Sequence, residues 1–364
     1  MIKKLFSALI IIFLLCGCTA KNTKDEITFA SWGSVSEVNI IKHLISDFEK
    51  VNPDIKVTLI HIPQNYFQKI QLLFASNTAP DVVFINNLYL PIYASKLENL
   101  SNIAEREKYF SQTVEGMSYN GKLLGIPRDV SNQIFYVNTD LVNLPDKDWT
   151  LEKLLAIAKN ATTDNVFGLS YEDNIFWAMP YLCYYGGGIL DKDETLIIDN
   201  EQSKQGIAFY KNLVYKYKVA PSKSQIGSST LAQMFINGKI AIYFSGRWMY
   251  PKISETAKFS WSVITFPIGK TPIPCDTSGW AVSKSSKHKE SAIKFVQFLS
   301  SYESSKYFTE TGLIVPARKD TAILLDNNKH NEKAFLNAIK QSETRVVNKD
   351  YKKLTDEINM RLNF

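Results

Sequence analysis

The chain has 364 residues, of which 45% are hydrophobic and 21% charged, proportions that place it among ordinary globular proteins rather than disordered chains. Its formal net charge of +6 is spread through mixed-sign surroundings, which does not argue for a nucleic-acid partner. Four cysteines are too few for the framework of a small disulfide scaffold.

Lys3 and Lys4 precede an apolar run from Leu5 to Leu15, about half of the ~20 residues a spanning helix needs. A positive start, a short apolar stretch and then small residues make a secretory signal peptide. Leu15-Cys16-Gly17-Cys18 resembles the bacterial lipobox, whose last cysteine receives diacylglycerol and becomes the first residue. Residues 1–17 are therefore the expected signal peptide, Cys18 the expected lipidation site and 18–25 a lipidated cysteine with a polar tether. Removing 17 of 364 residues leaves 347, a length suited to two domains, with a net charge of +4 once Lys3 and Lys4 are gone. Cys18, Cys183 and Cys275 remain; at most one disulfide is available, and nothing in the spacing fixes Cys183 against Cys275.

The body begins as β-α-β. Ile27 to Trp32 reads as a strand, and Val38, Ile41, Leu44 or Ile45, and Phe48 recur at helical spacing until Asn52-Pro53. Ile55, Val57 and Leu59 then alternate as a strand. FQKIQLLFASN is a second helix, and Val82 to Ile85 is an unbroken apolar run suited to a buried parallel strand. Such alternation predicts an open α/β sheet covered on both faces. Two glycines and Pro127 bracket a turn before a strand at Ile134 to Val137, as a crossing between lobes would. A helix over Trp149–Lys159 has Thr150 as N-cap, with Lys153 where a capping box would place an acid or amide. An amphipathic helix spans Glu201–Tyr217, strands Lys239–Phe244 and Ser260–Phe266, and another helix Lys289–Ser301. The stretch TPIPCDTSG from Thr271 is expected to be a loop, and Ser283–Glu290 a solvated one. There is no repeat of fixed period.

Several chemistries are missing. The four histidines, His43, His61, His288 and His330, show no metal-ligand spacing. PIGKT at Pro267–Thr271 lacks the glycine a phosphate loop needs five positions before Gly269, where Ile264 stands. Carboxylate pairs such as Glu172-Asp173 suffice in principle for a surface glycosidase, but adjacent acids are more often solvated. Aromatic residues are plentiful. Trp32, Trp248 and Trp280 lie at apparent strand ends or turns beside glycine or charge, where flat platforms next to hydrogen-bonding groups suit the faces of sugars; Trp261, inside an alternating strand, reads as core.

These pieces occur in a telling order. The lipobox, FEKVNPDIKV, SNTAPDVVFI, GKLLGIPRD with YVNTDLV, the helix at Trp149, INGKIAIYFSGRW, SGWAVSKSSKHKESAIKFVQFLSS and GLIVPARKD together resemble the extracellular solute-binding proteins of sugar-type ABC importers. The resemblance implies an α/β, two-lobe periplasmic-binding-protein fold of type II, maltodextrin-binding-like, with crossing hinge strands. The crossings are then expected near Arg128–Phe135, Thr265–Ile268 and Gly312–Pro316. Lobe one would take residues 26–129 and 268–311, lobe two 130–267 and 312–364, with the ligand cleft between them.

Ligand contacts implied by the resemblance are Trp32, Asn86, Asn87, Arg128, Asp129, Tyr171, Glu172, Trp177, Arg247, Trp248, Gly279 and Trp280. Ser278 departs from the glycine relatives often carry before that last Gly-Trp pair. Arg128 and Arg247 suit either an acidic or phosphorylated sugar or ion pairs between lobes. The implied function is that of a monomeric lipoprotein, anchored outside the cytoplasm, that captures a carbohydrate and delivers it to a permease driven by separate ATPase subunits, with no catalytic residue, cofactor, metal or nucleic acid. A polyamine remains open as cargo because aromatic and acidic residues could hold one through cation-π contacts.

Overall fold

A computed structural model describes residues 24–144, 149–327 and 329–364. The signal-peptide and lipidation expectations at 1–17 and Cys18 fall outside the described residues.

The first sheet grows from local signals in the sequence. Strand β1 (Asp25–Ser31) leads into α1 (Val35–Val51), whose N-cap Ser34 accepts from the Glu37 amide at 3.3 Å. Val38, Ile41, Leu44, Ile45 and Phe48 of α1 are buried, and the helix ends at Asn52, before the Pro53 that could not continue it. Strand β2 (Ile55–His61) pairs in parallel with β1 along its length; α2 (Tyr66–Ala75) then delivers β3 (Val82–Asn86) to the other side of β1, also in parallel. Strand β4 (Ile126–Ser131) follows, and only Asn132 separates it from β5 (Gln133–Asn138), which belongs to a different sheet.

The second sheet is completed by β6 (Phe167–Leu169), β7 (Ile240–Gly246) and β8 (Trp261–Ile264), in the order β8-β5-β7-β6. All six residues of β5 are buried: Phe135 and Val137 face one cluster, Ile134 and Tyr136 another, so this strand is covered on both faces. Helices α3 (Leu151–Ala161), α4 (Ile175–Tyr185) and α5 (Glu201–Tyr215) lie on the first of these clusters, and the Thr150 hydroxyl caps α3 by accepting from the Lys153 amide.

The chain then returns. Strand β9 spans Ile273–Val282, where the sequence predicts a proline-rich loop beginning at Thr271. Its prolines do not prevent this. Pro274 lies at the outer end, where β9 pairs only with the short edge strand β10 (Ser342–Thr344). Beyond it, Asp276–Trp280 pair antiparallel with β4 and Ser278–Val282 antiparallel with β3, so small polar residues occupy the middle of a mixed sheet. After α6 (Lys289–Leu299) and α7 (Tyr302–Glu310), residues 313–317 run beside β4: the Val130 amide donates to Val315 and the Ala317 amide to Arg128. Leu313, Ile314 and Ala317, in the stretch that the sequence reading gives to the second lobe, pack into the core of the first sheet. Helix α8 (Tyr351–Leu362) returns to the second sheet's core through Tyr351 and Ile358. Cys183 and Cys275 are both free and buried.

Candidate functional site

Three stretches meet where the chain passes between the sheets: 128–132, 276–278 and 313–315. Together with Trp32, Glu37, Asn86, Arg247 and Trp248 they line an inner chamber of about 190 Å³. An outer chamber of about 540 Å³ opens on the second sheet's side, lined among others by Tyr171, Glu172, Trp177, Tyr215, Tyr243 and Phe364. Trp248 borders both.

The inner wall is a network of engaged charges. Arg128 Nη1 donates to Glu37 at 2.6 Å and its Nε to Asp129 at 2.8 Å, while the guanidinium lies 4.3 Å from the Phe84 ring centre. Burial weakens the Arg128 cation, but Asp129 and Glu37 outweigh it and hold the guanidinium more firmly protonated than usual. Asp129 also accepts from the Ser278 amide at 3.1 Å and hydroxyl at 2.6 Å, which ties β4 to β9. Asp276 accepts from Arg345 at 2.6 and 3.2 Å and from Asn87 at 3.1 Å. Arg247, only 4% exposed, donates through Nη2 to Glu332 at 2.7 Å and packs against Tyr250 and Phe335. It stands on the wall between the inner chamber and a separate cavity formed by Tyr250, Glu310, Gly312 and Leu325.

Aromatic rings supply the apolar surfaces. Trp32, at the end of β1, is held edge-on by Tyr66, Phe67 and Phe84 at centroid distances of 5.0, 4.9 and 4.2 Å. Trp248 is 42% exposed and stands edge-on to Trp177 at 6.4 Å. Its ring rests against Gly246, where an added Cβ would come within 1.9 Å of the indole. The glycine of SGRW thus sets the tilt of the tryptophan. Tyr171 stacks on Tyr210 at 4.6 Å and donates to Asp173 at 3.0 Å. Burial raises the phenol of Tyr243 above its ordinary range, so it stays a neutral hydroxyl at physiological pH.

Nine of the expected residues border the chambers: Trp32, Asn86, Arg128, Asp129, Arg247 and Trp248 the inner one, Tyr171, Glu172 and Trp177 the outer one. Three do not. Trp280 is fully buried among Phe29, Phe84 and Phe308, so its ring offers no platform. Trp280 lies two residues beyond Ser278 on β9, level with Phe84 of β3 and past the end of the chamber lining; the register shift between β9 and β4 falls on β4, where Arg128 is the extra residue. Gly279 permits close approach of backbones, since a Cβ there would sit 2.1 Å from the Ile126 carbonyl oxygen. Asn87, 1% exposed, spends its amide on Asp276 and Thr277. The inner chamber is also lined by Glu37, Asp276 and Asn132, which the sequence did not single out, and by Ser278, noted there only for standing in place of a glycine.

Residues 43–335 match the family of bacterial extracellular solute-binding proteins. The chain belongs to that family. This solute-binding protein is 25% identical to the galactooligosaccharide-binding protein of Bacillus subtilis, over 84% of this chain and 76% of that one. It is 24% identical to the maltodextrin-binding protein MdxE of the same organism, over 94% and 87%. Among solved structures, an ABC substrate-binding protein of Listeria monocytogenes in complex with cycloalternan superposes with a TM-score of 0.85, at 27% identity over 93% and 92%. A maltose-bound protein from T. maritima reaches 0.81 at 23% identity, over 93% of each chain. The fold is the two-lobe architecture of maltose-binding proteins, and the family is one of binding proteins rather than enzymes. Among the described residues, no helix is long and apolar enough to cross a membrane.

Proposed function

We propose that this chain is the substrate-binding lipoprotein of an ABC importer and that its cargo is an oligosaccharide. The observation that carries the reading is the pair of adjoining chambers sharing Trp248. An aromatic platform borders a hydrogen-bonding pocket whose charges are already matched, and the combined space extends well past one residue. Such a site suits a chain of sugar rings: the ring faces rest on Trp32, Trp177 and Trp248, and hydroxyls meet Asp129, Asn86, Ser278 and the tyrosines. The names of the Bacillus and Listeria relatives agree with that chemistry.

In this reading the two sheets are the cores of two lobes hinged at the three crossings. Ligand contacting both lobes shifts the population toward a closed form, which a membrane permease recognises and empties at the expense of its ATPase subunits. Lipidation at Cys18 keeps the receptor at the cell surface or in the periplasm. The test is a thermal-unfolding screen of the protein against maltodextrins, galactooligosaccharides, sugar phosphates and polyamines. A ligand at ~100 times its dissociation constant adds about 2.7 kcal/mol and raises the midpoint by several degrees. A shift with oligosaccharides alone is expected; a shift confined to polyamines, or none, removes the carbohydrate reading.

A further inference from the structure

The outer chamber has a corner that the inner one does not share. Tyr171, Glu172, Tyr215 and Phe364 border the outer chamber alone, whereas Trp248 borders both. A ligand seated on Trp248 and the inner wall therefore meets this corner only by extending outward. Phe364 is its least expected member, because it lies two residues past the end of α8. Residues beyond a helix end fray unless something ties them down. Here Asn363 takes the left-handed conformation at φ 53°, which asparagine tolerates. Its amide donates to the Met360 carbonyl at 3.3 Å and the Phe364 amide to the Asn359 carbonyl at 2.9 Å, the paired bonds that close a helix on a left-handed residue. From α5, the Lys211 ammonium donates to the Leu362 carbonyl and, at 3.3 Å, to the Asn363 carbonyl, and it lies 4.8 Å from the centre of the Phe364 ring. That ring centre is 6.2 Å from the ring of Tyr210, whose hydroxyl donates to the Glu172 carbonyl at 2.7 Å and accepts from the Glu172 amide at 3.0 Å. Phe364 packs against the second sheet's core yet stays half-buried, which leaves ring surface for the chamber it borders.

We infer that Phe364 is a length-determining residue: with Tyr215 and Glu172 it forms a distal subsite that receives the far ring of a longer oligosaccharide and that a disaccharide does not reach. The inference rests on the carbohydrate reading and narrows it to the longer members of a series. A fixed flat ring suits the C-H face of a sugar. Among the described residues the Glu172 carboxylate has no partner, so its oxygens are left to accept from the hydroxyls of that same ring. Tyr215, 64% exposed, supplies a second aromatic surface at the corner. Because the ring is already held by the closed helix end and by Lys211, binding there orders little that was free before.

The test is calorimetry with two series of probes, maltose to maltopentaose and galactobiose to galactotetraose. The proteins are the wild type, Phe364→Ala and Phe364→Leu, each with its unfolding midpoint measured. In the series that binds, wild-type affinity should rise about tenfold from the disaccharide to the tetrasaccharide. Phe364→Ala should remove most of that gain, with a loss of about 5- to 10-fold for the tetrasaccharide against about twofold or less for the disaccharide. Leucine keeps apolar bulk against the core and loses the flat face, so Phe364→Leu should hold the midpoint and still flatten the series; it decides the matter if the alanine variant fails to fold. A ring that only covers the core predicts otherwise: affinities at every length unchanged, or lowered by one common factor. That result overturns the inference. So does a wild type that binds the disaccharide as tightly as the tetrasaccharide, and either outcome leaves the carbohydrate reading standing. No binding of any probe to the wild type overturns both.

Discussion

Trp248 is the residue on which the two chambers depend, and Gly246 is what holds it there. Replacing Trp248 by alanine removes the shared platform, and the affinity for the identified ligand should drop about 10- to 100-fold by calorimetry. Gly246→Ala is the finer experiment, because its methyl would displace the indole while the backbone, at φ −106°, tolerates any residue. Affinity should fall and thermal stability hold; a Gly246→Ala protein that binds as wild type would show that the tilt of the ring is immaterial. A different residue adds to the acid sensitivity of the fold. Asp81 accepts from the Thr28 amide at 2.8 Å, the Thr28 hydroxyl at 2.7 Å and the Ser286 hydroxyl at 2.6 Å. Burial raises its pKa, yet these bonds outweigh burial and hold it below the ordinary 3.8. The folded state thus favours the carboxylate, and that contribution is complete above about pH 4 and is lost as the pH falls through the depressed value. Asp81→Asn should cost about 1–3 kcal/mol in urea unfolding at pH 7, with the gap to wild type closing in strong acid.

Among the elements, β9 decides how the site is built. It joins β4 to β3 and carries Asp276, Thr277 and Ser278 into the chamber. Gly279→Ala would push against the Ile126 carbonyl, a backbone atom that cannot yield, and should lower stability by about 3 kcal/mol in a denaturant titration. A stable Gly279→Ala would mean that β4 and β9 can part at no cost. Helices α1, α2, α3, α5 and α6 and the apolar strands were legible in the sequence because each announces itself locally, as α1 does through its apolar period and its terminal Asn52-Pro53, whereas α7 and α8 were not read. β9 was not, because Pro-Ile-Pro-Cys-Asp-Thr-Ser-Gly has the composition of a loop and becomes a strand through neighbours that are distant in sequence. The same limit explains the site. Strand ends beside Trp32 and Trp248 could be read from their flanking residues, whereas the burial of Trp280 comes from rings on other elements, Phe29, Phe84 and Phe308. Glu37 became part of the chamber only through Arg128, 91 positions away.

For the whole molecule, the hinge reading makes a measurable claim. Saturating ligand should shrink the radius of gyration in small-angle X-ray scattering, and Trp248→Ala at the same ligand concentration should stay extended. A radius unchanged by a tightly bound ligand would leave capture without closure. Burial pushes the interior thiols up, Cys183 to about 11 and Cys275 to about 12, so both stay protonated and inert at physiological pH. One further consequence concerns the order in which the molecule can come into being. The strand at Ile273–Val282 lies between β3 and β4, whose residues precede it by well over a hundred positions. As the polypeptide emerges from its N-terminus, β1, β2 and β3 have no central partner until more than three-quarters of the chain is out, so their sheet cannot close early. Only the short edge strand β10 arrives later, so a late strand locks the first three, and the N-terminal sheet stays open for most of synthesis.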